Sequence, residues 1–270
     1  MANKKLKSGV LGCLSYDTAR TLVQIQKLLP TLVPDRTLRR WLSDFEQQGL
    51  LLKTGAKRNT KYQLKLKGTY RPAFLNGKSE HEQEVILKKL RDLWTHTSTA
   101  LEGNTLSLGD THFILEEGLT VSGKPLKDHQ EVIGHASAID IVYRSLNSTI
   151  TEQLLFDLHK AVQTERIHDI DKPYGAWKVV ANGTYTVTNT DEQIYLEYAK
   201  PTFVPELMKQ LVNEINNLNA SNLSFLQAAK CYAKLHAGFA HIHPFWDGNG
   251  RIARLISNLP LLKSGLPPVV

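Results

Sequence analysis

Near its end the chain reads His241-Ile-His-Pro-Phe-Trp-Asp-Gly-Asn-Gly-Arg-Ile-Ala-Arg254, an order that little but a loop feeding straight into a helix can satisfy. Pro244 has no amide hydrogen to donate, and the Gly248-Asn249-Gly250 run permits backbone angles that other residues avoid. From Arg251 onward Ile252, Leu255, Ile256 and Leu259 recur at helical spacing. A glycine-rich turn that opens a helix presents free amides and the positive end of the helix dipole, which is a ready anion site. Arg251 and Arg254 are three apart, so both guanidinium groups are expected to project from one face towards that site. Two arginines beside a nest of amides suit a polyphosphate better than a single carboxylate. Asp247, just before the nest, can hold the magnesium that accompanies a nucleotide. His243 lies on the loop, where an imidazole can take a proton from an attacking hydroxyl.

Each piece has a plainer explanation when taken alone. A histidine before proline is an ordinary loop residue, and an aspartate before glycine an ordinary turn residue. His236, His241 and His243 lie close together as zinc ligands would, but no Cys or Glu completes the set nearby, and a bare His-x-His is weak. The combined order is far more specific than its parts.

His243-Pro-Phe-Trp-Asp-Gly-Asn-Gly-Arg-Ile-Ala-Arg254 matches the signature of the Fic (filamentation induced by cAMP) family at every defining position. The resemblance spans roughly residues 79 to 268 and leaves out the N-terminal seventy or so. It implies an all-helical core that transfers AMP from ATP to a protein hydroxyl.

The formal net charge of +7 favours polyanionic partners such as nucleotides or nucleic acid. No apolar run approaches a membrane span, and the N-terminus lacks the apolar stretch of a signal peptide. Cys13 and Cys231 stand far apart in sequence and imply no disulfide framework, so the expected location is the cytoplasm.

Residues 1–67 carry much of the basic excess. Thr18 to Leu29 reads as an amphipathic helix with Leu22, Ile25, Leu28 and Leu29 inward. A second helical run follows Pro34, with Leu38, Trp41, Leu42 and Phe45 in register and Gly49 as its stop. Leu50–Lys53 and Thr60–Leu66 flank a basic, Gly-containing tip, as in a β-hairpin. Helix, turn, helix and hairpin resemble a winged helix-turn-helix, with Pro34–Gln48 as recognition helix and Lys57, Arg58 and Lys61 on the wing. Two uses stay open. Arg36, Arg39 and Arg40 contact DNA in a major groove, or the module docks a protein, including a second copy as a homodimer.

Residues 68–78 have linker composition, and Ser79 with Glu82 forms a capping box for a long helix. Ile86, Leu90, Leu93, Trp94, Thr97 and Leu101 trace its expected inward face, and Gly103 its stop. Glu102 sits at the negative end of that helix dipole, disfavoured by ~0.3–1 kcal/mol unless a cation meets it. Ser98-Thr-Ala-Leu-Glu-Gly103 resembles the family's inhibitory motif, which implies inhibitory roles for Ser98, Glu102 and Gly103. We expect Arg254 to be the partner of Glu102.

Thr111–Gly118, Lys127–Leu146 and a Thr151-capped run to Val162 read as further helices. Val132, Ile133, Ala136, Ile139, Ile141 and Val142 are expected inward, with His129, Glu131, His135 and His159 as packing or surface residues. Residues 174–201 turn β-branched and aromatic, which reads as a small hairpin that a peptide could join as an extra strand. The family resemblance implies a flap there, with Thr184, Tyr185, Thr186 and Val187 positioning the target. One departure is Lys178, where the family often has arginine after its Gly-x-x step. Pro205–Leu218 and Ser224–His241 are helical, and the chain stops at Val270, short of where family members usually end, as a truncated form or a fragment would.

The expected fold is mainly α: a helical core with one β-hairpin over residues 79–270, preceded by the winged module. The resemblance implies a protein adenylyltransferase using ATP and Mg²⁺, acting on a Ser, Thr or Tyr hydroxyl of another protein or of itself. In it His243 is the base and Asp247 the metal ligand. Gly248, Asn249 and Gly250 cradle the inner phosphates, and Arg251 and Arg254 take the outer ones. The alternatives are transfer of another phosphate-containing moiety, removal of AMP, or a DNA-binding regulator whose core senses nucleotide.

Overall fold

The computed structural model describes residues 6–7, 10, 13–14, 19–47, 51–64, 72–164, 169–218 and 223–270, without the side chains of Leu52, Arg58 and Leu64. Within them the chain is mainly helical and divides into two compact units, Met1–Tyr70 and Arg71–Val270.

The first unit runs β1 (Arg20–Thr21), α1 (Leu22–Leu28), α2 (Asp35–Gln47), β2 (Leu51–Thr54) and β3 (Lys61–Leu64). The strands form an antiparallel sheet in the order β1-β3-β2, with Tyr62 paired to Arg20 on one side and Lys53 on the other. α1 starts later than its apolar spacing suggests. Arg20 and Thr21 are in a strand, and Thr21 caps the helix by accepting the Gln24 amide while the Gln24 side chain accepts the Thr21 amide. Leu38, Trp41, Leu42 and Phe45 of α2 are buried as expected, against Leu22, Ile25 and Leu29. Leu28, also expected inward, is 54% exposed, because the helix ends there and Leu29 turns into the core instead. Expectations for Thr18, the Gly49 stop, Leu50, the Lys65–Leu66 strand end, the Arg58 side chain and residues 68–71 of the linker lie outside the described residues.

The second unit runs α3 (Glu80–Ala100), α4 (Leu108–Glu117), α5 (Leu126–Ser145), α6 (Glu152–Val162), a hairpin of β4 (Gly183–Val187) and β5 (Gln193–Glu197), α7 (Val204–Asn217), α8 (Phe225–Ile242), α9 (Asn249–Ile256) and α10 (Leu259–Lys263). The capping box at Ser79 and Glu82 forms, and Gly118 closes α4 in a left-handed conformation. α5 packs against α3, α4, α6 and α9, with Val132, Ala138 and Ile139 wholly buried. Ile133, expected inward, is 52% exposed, since it falls between the faces that those neighbours cover.

The largest difference from expectation is the buried face of α3. It consists of Asp92, Trp94, Thr95, Ser98 and Thr99, whereas Leu93 is half-exposed and Leu101 lies on the surface. Thr99 satisfies its hydroxyl on the Thr95 carbonyl, and Thr95 meets His135 of α5 at 3.4 Å. Small hydroxyl side chains that bond locally let α3 approach the signature helix with hydrogen-bonding groups facing it.

His135 and His159 are both fully buried. Burial, with Arg254 and Arg251 nearby, pushes His135 down to about 3, and burial pushes His159 down to about 4. Each stays neutral in the fold well below the pH at which it protonates in the unfolded chain. The unfolded state therefore binds more protons in that window, and stability present above pH ~6.5 is lost as pH falls towards the folded values. Melting temperature is expected to fall steadily from pH 6.5 to pH 4, with a shallower slope in His135→Leu. An unchanged slope in that variant would contradict the assignment.

Candidate active site

α8 ends on an unusual residue. His243 adopts the left-handed conformation (φ 50°) that glycine normally takes at such a position, and its amide bonds back to the Phe239 carbonyl at 2.9 Å. The loop beyond it is held from inside. The Phe245 amide donates to Asn249 Oδ1 at 2.9 Å and Asn249 Nδ2 donates back to the Phe245 carbonyl at 2.8 Å. The Phe245 ring is wholly buried and stacks on His159 with centroids 4.2 Å apart. That packing gives His159 its structural place, and its Nδ1 accepts the Gly175 amide.

Gly248 begins α9 at φ 77°, with a Cβ there meeting Val162 at 3.3 Å. The amides of Asn249, Gly250 and Arg251 form the first turn, where an anion finds free donors. The Asn249 side chain is turned inward to brace the loop, so only its backbone faces that turn.

The two arginines part. Arg251 is 4% exposed, donating to the Val162 carbonyl at 2.9 Å and to Asp247 at 3.2 Å, with Glu131 at 3.8 Å. This corrects the expectation that both guanidinium groups reach out from one face. The carbonyl end of α6 and the carboxylate of Glu131 draw Arg251 into the interior. Glu131, likewise buried, also accepts from Asn104 at 2.9 Å and so touches the turn that follows α3.

Arg254 faces α3. Its Nε donates to Ser98 Oγ at 2.9 Å, and its Nη2 donates to the Ser98 carbonyl at 2.9 Å and to Glu102 Oε1 at 2.6 Å. Gly103 (φ 92°) ends α3 just beyond, and Asn104 and Thr105 are tied to Asp128 and Glu131. A Cβ on Gly250 would come within 2.5 Å of Glu102 Oε1, which places that carboxylate directly against the first turn of α9. The sequence-expected pair of Glu102 and Arg254 therefore meets, at the amide nest itself.

The His243 imidazole donates from Nδ1 to the Ala240 carbonyl at 3.3 Å, which leaves Nε2 as the acceptor. Its ring stacks on Tyr198 with centroids 3.8 Å apart and planes 2° from parallel. Burial lowers its pKa, reinforced by the Lys178 charge, while the Ala240 carbonyl, Asp247 and Glu102 oppose that shift. Nothing in the residue pattern singled out Tyr198, and Lys178 stood out only as a departure.

β4 and β5 pair from Gly183↔Glu197 to Val187↔Gln193 beside this loop, and among the described residues no third strand joins either outer edge. Thr184, Tyr185 and Val187 are exposed and Thr186 half-buried. Trp177–Val180, strand-like in composition, lies outside both strands, and the Lys178 amide is bonded to the Pro244 carbonyl instead.

Residues 149–261, which contain the whole of this loop and helix, match the Fic/DOC family. That segment belongs to the family. The chain is 33% identical over 185 residues to the protein adenylyltransferase fic-1 of Caenorhabditis elegans, covering 68% of the chain and 34% of the relative. It is 32% identical over 197 residues to the protein adenylyltransferase Fic of Culex quinquefasciatus, covering 72% and 35%. It thus spans about a third of the length of these curated relatives. A Fic domain-containing signaling protein of Bacteroides thetaiotaomicron matches in structure with a TM-score of 0.62 at 28% identity, over 73% of this chain and 72% of that one. Among the described residues, no helix is long and apolar enough to cross a membrane.

Proposed function

We propose that the chain transfers AMP from ATP to a hydroxyl side chain of a protein, as the names of its curated relatives describe for them. The observation that carries this reading is the juxtaposition of a neutral imidazole with a free Nε2 and the open amide turn of α9. His243 takes the proton of the target hydroxyl as its oxygen attacks the α-phosphorus. The new O–P bond forms as the bond to the β-phosphate breaks and pyrophosphate leaves. The Asn249, Gly250 and Arg251 amides stabilise the oxygens on which charge builds, and Arg254 serves the outermost phosphate once Glu102 releases it. Arg251, drawn inward, orients Asp247 rather than gripping phosphate.

Magnesium takes one or two carboxylates and completes its shell with water and substrate phosphates. Asp247, half-exposed beside the amide turn, fits an ion of that kind, and Glu131 is too enclosed to share it. Such an ion would neutralise charge between phosphate groups. The β4–β5 hairpin acts as the flap, with the outer edge of β4 along Thr184–Val187 receiving an extended stretch of the target.

Since His243 works in its neutral form and its pKa is lowered, the rate should hold at pH values somewhat below the ordinary histidine range. His243→Ala is expected to lose ~10²–10⁴-fold in transfer while keeping ATP affinity. Mass spectrometry after incubation with Mg-ATP reads this as loss of an AMP adduct on target or chain. An adduct at the wild-type rate would remove His243 as base. An adduct of another mass, or AMP lost from a pre-modified target, would assign a different transfer to the same site.

Ser98, Glu102 and Gly103 form the brake in this reading, because a carboxylate on Arg254 denies it to the terminal phosphate. Glu102→Gly should raise transfer, and Arg254→Ala should be inactive with or without it. A radiolabelled-ATP assay on all four combinations checks this, and unchanged activity in folded Glu102→Gly would reject the brake.

For the first unit we propose the winged-helix use. A cleft of about 390 Å³ between α2 and the β2–β3 hairpin is lined by Arg39, Lys53 and Lys57 against one acid, Glu46, with Ser43, Thr60 and Tyr62, and its excess of cations suits a phosphate backbone. Full-length protein should bind duplex DNA with affinity that falls steeply as salt rises. Reversing Arg39 and Lys53 to glutamate should abolish that binding. Absence of binding by wild type at low salt would leave protein docking.

A further inference from the structure

Lys178 is 2% exposed, although it carries a charge and lies on no helix or strand. Its amide donates to the Pro244 carbonyl at 2.8 Å. Its ammonium donates to Asn182 Oδ1 and to the Ile242 carbonyl, the latter at 3.4 Å. Asn182 in turn donates to the Phe245 carbonyl at 3.0 Å and accepts the Tyr198 amide at 3.0 Å. Three carbonyls around His243 are thereby fastened to the two residues from which the hairpin springs. The same ammonium lies 6.0 Å from the centre of the Tyr198 ring, whose other contact is the stack on His243.

We propose that Lys178 is a positioning residue for the transfer: its ammonium locks the root of the hairpin to the end of α8 and holds the Tyr198 ring against His243. This rests on the reading of His243 as base. It accounts for a buried cation without a carboxylate in contact among the described residues, an arrangement that costs stability unless hydrogen bonds and a ring face replace the lost water. It also gives the hairpin a second role. A target strand joining β4 would bear on Asn182 and hence on the loop that carries the base, so that docking and base geometry are coupled through one side chain.

The charged groups facing His243 are Lys178 from before the hairpin, Asp247 from the signature loop and Glu102 from the end of α3. Both carboxylates favour the protonated ring, and only Lys178 opposes them by charge. Glu197 is the carboxylate that acts on Lys178, whose burial outweighs it and brings the lysine down to about 8.

The test is a ¹⁵N histidine-ring NMR titration of nucleotide-free protein, which needs no transfer activity and so fails independently of the adenylyltransferase reading. Lys178→Met keeps the length of the side chain and removes its charge. His243 is expected to titrate at higher pH in that variant and to lose the ring-current shift of the Tyr198 stack. Lys178→Arg should restore both. In transfer assays Lys178→Met should lose kcat rather than ATP affinity, by less than the ~10²-fold minimum for losing the base itself. A folded Lys178→Met protein with wild-type His243 titration and ring shifts would overturn the proposal. Should that variant not fold, wild type still decides. The His243 resonances should show a second inflection near pH 8 as Lys178 discharges, absent in Lys178→Arg, and a featureless curve there would overturn it equally.

Discussion

The fold turns on the carboxylate of Glu102, which lies against Gly250 in the first turn of α9 and holds Arg254 at 2.6 Å. The same contact resolves a conflict on α3, whose C-terminal end disfavours a carboxylate unless a cation and a positive dipole end face it. The C-terminal turn of α3 thus gains its cation from α9. Ser98 adds two hydrogen bonds to the arginine from the turn before. Any polyphosphate that occupies the amide turn must displace or share this carboxylate.

Around that contact the fold is arranged to keep the loop stiff. The reciprocal bonds between Phe245 and Asn249 hold the left-handed turn, and the wholly buried Phe245 ring fixes it to the core through His159. Arg251 is spent on the same task, clasping the carbonyl end of α6 and the carboxylate of Glu131. Because Glu131 also receives Asn104, the turn after α3 and the start of α9 share one buried acid. The outcome is a braced loop and amide turn, with the Arg254 guanidinium held apart from Arg251 on Ser98 and Glu102.

What the residue order makes legible is what local geometry decides. Gly248 at positive φ, the capping box of Ser79 with Glu82 and the stop at Gly118 all follow from backbone needs within a few residues. The pairing of Glu102 with Arg254 was legible too, because a misplaced carboxylate and an exposed cation both called for a partner. The polar inward face of α3, the inward turn of Arg251 and the exposed Leu101 were not. Each depends on which helix lies opposite, and periodicity ranks side chains by hydropathy without knowing the neighbour. Tyr198 lies far from His243 in sequence, and nothing local announces that a tyrosine after a hairpin will stack on an imidazole.

We propose that Glu102 holds the arginine that the terminal phosphate of ATP needs. A crystal structure of Glu102→Gly grown with Mg²⁺ and a non-hydrolysable ATP analogue tests it most directly. The inner phosphates are expected on the Asn249–Arg251 amides, the Arg254 guanidinium swung from Ser98 to the terminal phosphate, and the α-phosphorus open to attack from the His243 side. A terminal phosphate far from Arg254, with the arginine still bonded to Ser98, would contradict it.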